Sequence, residues 1–386
     1  MEQREVGADA RVVSEAVAQA RVGLVDREVL ADVVVLCAIA GEHVLVVGPP
    51  GTAKSEAIRR VARRLGETYY EYLVGRFTEP SEIFGPIDLR ALREGVVQVE
   101  TAGMLPEAEI AFLDEVFLGS TAILNALLGL LNERAYRRGS TVVRSPLRVC
   151  VAACNVLPED PALAAFADRF MARVFVDPVP DDRLEELLEV GRAGDSHRTE
   201  ERHESLAGAL DRLALAARSV DVSSVGTLLA TAVRRLRGAG VLVSDRRAVR
   251  VQRLVAAAAV LDGRSTATPQ DLWVLPLIAP TADGQAVATS VLADLMGGAT
   301  NRALPHAAEA FAAGPEARAD RMAASAGTLL AGLDEEPSAD DRLRIEALLR
   351  EIDASFGPTA APEHLQVARS ALVSRIGGPV PDPVAP

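Results

Sequence analysis

Three short stretches carry side chains suited to cutting a phosphoanhydride bond: GPPGTAKS (48–55), AEIAFLDEVF (108–117) and RVCVAACN (148–155). The first holds Lys54, the one lysine of the chain; every other of its 41 basic side chains is arginine. A guanidinium is a broad planar fork, whereas an ammonium on a thin stem enters a tight cup as a point charge. In a phosphate-binding loop, backbone N–H groups wrap the phosphates and a lysine reaches the β and γ oxygens. The next Ser or Thr hydroxyl sits on Mg2+. Lys54 and Ser55 have that spacing, after Gly48, Pro49, Pro50, Gly51, Thr52 and Ala53. Ala53 stands where the pattern G-x-x-x-x-G-K-[ST] has its second glycine. Helical dihedrals at Ala53 would make its methyl harmless, leaving Gly48 and Gly51 to let the backbone approach the phosphates.

The second stretch is an apolar strand ending in two acids. Strand residues alternate faces, so Asp114 can hold Mg2+, directly or through water, while Glu115 polarises the attacking water as general base. Capping of the following helix is the plainer role for this pair. The third stretch ends in Asn155, a residue poor in strand interiors but able, at a strand tip, to orient the water between Glu115 and the γ-phosphate. A simple turn would also place an asparagine there. Downstream, FADRFMARVF (166–175) offers Arg169 and Arg173, four apart and on one face if the segment is helical. Either could pair with a neighbouring acid or, in an ATP-hydrolysing ring, stabilise transition-state charge in the adjacent subunit.

These residues need a frame that brings strand tips together. EHVLVVG before the loop reads as a buried parallel strand. SEAIRRVARRLG after it sets Ala57, Ile58, Val61, Ala62 and Leu65 at helical spacing, with arginines on the other face. The helix N-terminus adds its positive dipole end to anion binding. Up to about residue 180, strand-like and helix-like segments alternate, with candidate strands at 43–47, 69–74, 110–114, 148–153 and 173–177. That alternation is the mark of an α/β fold with a parallel sheet flanked by helices. Thereafter the text is alanine- and leucine-rich and helical. The charged stretch 191–205 reads as a linker, and the proline-rich end 377–386 reads as a disordered tail.

Composition narrows the field. A hydrophobic content of 49% with 25% charged residues belongs to a folded soluble protein, and the longest apolar runs are too short to span a bilayer. The N-terminal residues lack the apolar core of a signal peptide, so a cytoplasmic location is expected. A net charge of −13 opposes non-specific nucleic-acid binding, though not a local basic pore. Cys37, Cys150 and Cys154 sit in apolar segments and read as buried thiols, not as a disulfide frame or zinc site.

In order, GPPGTAKS, IAFLDEVF, AACN, DRF and VSDRRAVR resemble the AAA+ ATPases of the MoxR family. RFTEPSEIFGPIDL (76–89), PEAEIAFLDEVF and AILNALLGLLNERAYRRG (122–139) are most similar to its RavA branch. The resemblance covers roughly residues 15–280. It implies an AAA+ core over 1–180, with hairpin inserts at 89–103 and 136–148. It further implies a linker at 181–206, an α-helical lid at 207–282 and a helical accessory region at 283–376. Lys54 and Ser55 take the Walker A roles, Asp114 and Glu115 the Walker B roles, and Asn155 that of sensor 1. Arg169 corresponds to the trans-acting arginine finger. Arg246 corresponds to the sensor-2 arginine, with Arg247 the alternative, and Val25 lies in the segment GLVDRE (23–28) that borders the adenine. The implied protein binds ATP and Mg2+, forms a homo-hexameric ring, and remodels a protein client with a partner bearing a von Willebrand factor A (VWA) domain. A nucleic-acid-dependent motor and a non-hydrolysing ATP switch are the alternatives.

Overall fold

The continuous apolar runs at Val44–Val47, 110–113 and Val149–Cys154 dictate a sheet buried on both faces. In this computed structural model, which describes residues 3–65, 68–193, 204–296, 299–312, 315–333, 339–356 and 361–375, seven strands form. They are β1 (Val44–Val47), β2 (Tyr69–Leu73), β3 (Ile110–Asp114), β4 (Ala135–Arg138), β5 (Thr141–Arg144), β6 (Val149–Cys154) and β7 (Ala172–Phe175). Five make one parallel sheet in the order β2-β3-β6-β1-β7. Val44, Val46, Ile110, Phe112, Val149, Val151 and Ala153 point into one apolar layer. Leu45, Val47, Ala111, Leu113, Cys150, Ala152 and Cys154 point into the other. Such continuous apolar strands form only where helices cover both faces. The expected strands thus appear within one or two residues of their expected limits, and all three cysteines are buried and free.

One layer receives the helices Gln3–Arg21, Glu28–Ala40 and Lys54–Leu65 together with later helices of the chain; the other is built on Thr121–Glu133. All parallel strands point the same way, so β1, β3 and β6 end together at one edge. This edge carries Gly48, Asp114 and Asn155.

The inserts differ from each other. Residues 135–144 form the antiparallel hairpin β4–β5, in register from Ala135↔Arg144 to Arg138↔Thr141. Residues 89–103, expected as a hairpin, instead carry a short helix, Leu89–Arg93, whose N-cap Asp88 accepts from the N–H groups of Arg90 and Ala91. Leu-Arg-Ala-Leu-Arg is a run of good helix formers, so antiparallel pairing survives only at its base. There Asp88 N donates to Gln98 O (2.8 Å) and Glu100 N to Pro86 O (2.9 Å).

The chain divides into two units, Met1–Pro178 with Thr199–Ala312, and Val179–Arg198 with Ala313–Pro386. The helical text after 207 continues the core of the first unit well past 282. Ala288, Leu292, Met296, Leu304, Ala307 and Ala308 join the apolar layer of the sheet, and Asp32 accepts from Ala307 N (3.1 Å). The first compact unit thus runs on to Ala312, beyond the lid limit expected at 282. The second unit has its own core, with Met322, Ile345, Leu348, Ile352, Leu365 and Leu372 at its centre. Part of the expected linker belongs here: Asp181–Arg183 is a 3-10 turn, Leu184–Ala193 is a helix, and Glu185 pairs with Arg344 (2.9 Å). The remainder of that stretch, 194–203, and the tail 377–386 lie outside the described residues. No described helix is long and apolar enough to cross a membrane.

Candidate nucleotide site

The loop after β1 is shaped by one close approach and two left-handed residues. A Cβ on Gly48 would lie 2.1 Å from the carbonyl oxygen of Val176, so packing against the segment that leaves β7 by itself requires glycine here. Gly51 has φ +79° with open space around it. Ala53 has φ 54°, not the helical value under which its methyl would be harmless. The helix begins one residue later, at Lys54, so Ala53 holds a conformation that costs an L-residue about 1 kcal/mol.

Lys54 is buried, and its ammonium donates to Gly48 O (2.9 Å) and Pro49 O (2.8 Å). Burial pulls its pKa below the usual lysine value, opposed first by the carboxylate of Asp114 and then by that of Glu115. Those three charged groups therefore meet at one sheet edge. Asp114 accepts from the backbone N–H of Glu115 (3.0 Å). Glu115 itself has φ 51°, a strained value of the kind that collects at functional sites. That twist turns its side chain across to β6, where its carboxylate accepts from the amide of Asn155 (2.5 Å). Asn155 is exposed at the tip of β6. Beneath it the Cys154 thiol is pushed up to about 12, by burial first and then by the charge of Glu115.

The loop fits a phosphate chain. Among the described residues, the N–H groups of Gly51, Thr52 and Ala53 donate to no protein acceptor, and they stand at a helix N-terminus, where anions are favoured. No group of three or more His, Cys, Asp and Glu able to hold a metal occurs among the described residues. Asp114 at the end of β3 and Ser55 in the first turn of the helix Lys54–Leu65 carry the oxygens that Mg2+, an ion that keeps waters and takes phosphate oxygens as its other ligands, would use.

A contributor absent from the sequence reading is Arg27, which caps the helix Glu28–Ala40 and is 4% exposed. Its Nε donates to Thr52 O (2.6 Å) and its guanidinium also to Asp177 O (2.6 Å). It ties the loop to the chain leaving β7. Val25, two residues earlier, is buried and sits in the turn that delivers Arg27. Nothing in composition singles out Arg27 in a chain whose basic residues are nearly all arginine.

The candidate arginines are not gathered at this edge. The helix Pro161–Ala167 stops before Arg169, and Arg173 lies in β7, so the two do not share a helix face. Ala172 pairs with Val44 at the start of β1, and the Phe170 ring packs against His43 (6.3 Å). Arg169 therefore sits at the edge where the strands begin, opposite the loop at 48–55. Arg173 is buried, donates to Pro280 O and has its pKa pulled down to about 10 by burial and then by the neighbouring Arg247 charge. Arg246 is exposed and Arg247 is 1% exposed. Arg247 donates to Asp168 Oδ1 (2.6 Å), Ile278 O (2.8 Å), Phe170 O (2.9 Å) and Met171 O (3.1 Å). Helical phase could have chosen between them, since Arg247 is in step with the buried Val251, Leu254, Val255 and Ala258.

With this geometry in view, comparison with known proteins is informative. Residues 11–215 match the family described as the MoxR domain in MoxR-vWA-beta-propeller ternary systems, and residues 227–282 match an AAA lid domain. Two uncharacterized proteins of Methanocaldococcus jannaschii are 36% and 35% identical, each over 63% of this chain and over 65% and 63% of their own lengths. The chain thus spans just under two thirds of these relatives. A chaperone, MoxR1 of Mycobacterium tuberculosis, is 25% identical over 48% of this chain and 50% of its own. A crystal structure from Cytophaga hutchinsonii, named for an inferred ATPase activity, superposes with a TM-score of 0.61 over 75% of this chain and 96% of its own, at 18% identity. The fold is that of an AAA+ ATPase with a helical lid, and the chain belongs to the MoxR family of AAA+ ATPases.

Proposed function

We propose that the chain hydrolyses ATP with Mg2+ and that each nucleotide is cut between two copies arranged in a ring. The observation that carries this reading is the meeting of Lys54, Asp114, Glu115 and Asn155 around a loop whose N–H groups are uncommitted. In it, the Gly51–Ala53 amides and Lys54 bind the phosphates, and Lys54 exchanges its carbonyl partners for phosphate oxygens. Glu115 takes the proton of the attacking water, and Asn155, by holding that carboxylate, fixes where the water stands. Bound Mg2+, held through Ser55 and Asp114, would supply charge neutralisation on the β and γ oxygens.

Arg169 lies a full strand length from its own loop, four residues of strand at ~3.3 Å each, which supports a role toward a neighbour's γ-phosphate and not its own. A hexamer is the ring size the resemblance implies. The family description names systems that contain a VWA protein and a β-propeller, which supports a VWA-domain partner, and the RavA-like phrases support remodelling of a protein client.

The test is complementation. Lys54→Ala and Arg169→Ala chains, each at least about 100-fold below wild type in ATP turnover alone, should recover activity when mixed, because one supplies the loop and the other the arginine. Mixtures as inactive as their components would refute the shared site.

A further inference from the structure

Arg247 is the sensor-2 alternative by position, yet its guanidinium is held at the edge where the strands begin, opposite the loop at 48–55. Four of its five N–H donors are committed within its own subunit, to Asp168 and to the carbonyls of Phe170, Met171 and Ile278. These partners join three segments: the start of the helix Asp245–Leu261, the 168–171 turn, and the 3-10 stretch Pro269–Ile278. Inside that turn stands Arg169. Its N–H donates to Phe166 O (3.0 Å) and that of Phe170 to Ala167 O (3.2 Å), so the guanidinium of Arg247 grips the chain on both sides of Arg169.

Charge sharpens the point. Asp168 is the acid adjacent to Arg169, and Arg247 takes its carboxylate. The Nε of Arg169 is buried without a hydrogen-bond partner. Were Asp168 free, its charge, already felt by Arg173, would be open to the arginine next to it in sequence, which could then fold back onto its own subunit. Burying an arginine among carbonyls is costly unless its donors are all but filled, and Arg247 meets that condition while Arg169 does not.

We propose that Arg247 is a positioning residue for Arg169: it fixes the 168–171 turn to the lid helix and, by occupying Asp168, leaves the Arg169 guanidinium available to a neighbouring subunit's nucleotide. Movement of the lid in one subunit would then move the arginine that serves the next. The inference rests on the shared-site reading above and adds the link between lid and arginine.

Arg247→Lys keeps the charge but loses the fork, so it should lower turnover at least tenfold with little change in ATP affinity. The decisive step is mixing it with Lys54→Ala. The Arg247→Lys chain has an intact loop and the Lys54→Ala chain an intact turn, so a random equal mixture should reach about a quarter of the wild-type rate, one interface in four being productive. Asp168→Asn, which removes the charge at nearly constant shape, should behave the same way and serves if Arg247→Lys fails to fold. If Arg169→Ala is rescued by Lys54→Ala but Arg247→Lys and Asp168→Asn are not, or if both keep wild-type turnover alone, the role assigned to Arg247 is wrong while the shared site stands. If Arg169→Ala is not rescued either, both readings fall.

Discussion

Where the strands end, polar groups stand open: three amides without acceptors, an ammonium resting on two carbonyls, and a glutamate held by an exposed asparagine at a strained φ. Where the same strands begin, the polar groups are committed: Arg247 fills four bonds, and Arg173 is buried against Pro280 O. The difference teaches how the shared site proposed above would be built from one chain. The edge that receives a ligand keeps donors weakly engaged so that they can exchange partners. On the proposed reading, the edge that serves a neighbour holds its arginine on a turn fixed by Arg247, because a group acting across an interface must be fixed before it arrives.

The contrast can be broken at either edge. Arg169→Ala should be the most damaging change at the beginning edge, lowering turnover by about 10³ while ATP binding persists, since such arginines act on transition-state charge; filter binding beside a phosphate-release assay separates the two quantities. At the ending edge, Gly48→Ala drives a methyl into Val176 O. It should cost about 1–3 kcal/mol of stability, read as a lowered denaturation midpoint, and should weaken ATP binding through the displaced loop.

A smaller effect tests the extent of the first unit. Asp32 is fully buried between Arg21 and the helix Pro305–Ala312, and burial raises its pKa to about 6 despite the opposing Arg21 charge. A carboxyl whose folded pKa lies above its unfolded value contributes stability that is complete only below the unfolded value of 3.8 and lost as pH rises through about 6. Asp32→Asn should flatten that slope, seen in denaturation midpoints between pH 4 and 7; an unchanged slope would detach residues 305–312 from this core. The smallest effect is at Ala53, where Ala53→Gly relieves a left-handed residue but loosens the unfolded chain. The net gain should be about 0.5 kcal/mol, and a loss of stability would contradict the assigned φ.

Much of this was legible in the sequence for identifiable reasons. Strands buried on both faces leave continuous β-branched runs, and Lys54 stands out because one ammonium among arginines is a contrast that composition can show. Arg27 offers no such contrast, and its partner is a backbone carbonyl that no residue type announces. Arg247 was separable from Arg246 by helical phase alone, once Ser244 is seen to cap the helix. The helix at 89–93 was hidden because the resemblance supplied a hairpin where local propensity and the Asp88 cap favour a turn of helix. The 282–312 extension carries too few large apolar residues to declare which core it joins.

The central claim, that the ending edge of the sheet binds and cuts ATP, is tested most directly by comparing wild type with Glu115→Gln for Mg-dependent ATP turnover and for ATP binding, at concentrations where the chain self-associates. Equal binding with turnover reduced by at least about 100-fold is the predicted result. Equal turnover in the two proteins, or no ATP binding by either, would contradict it.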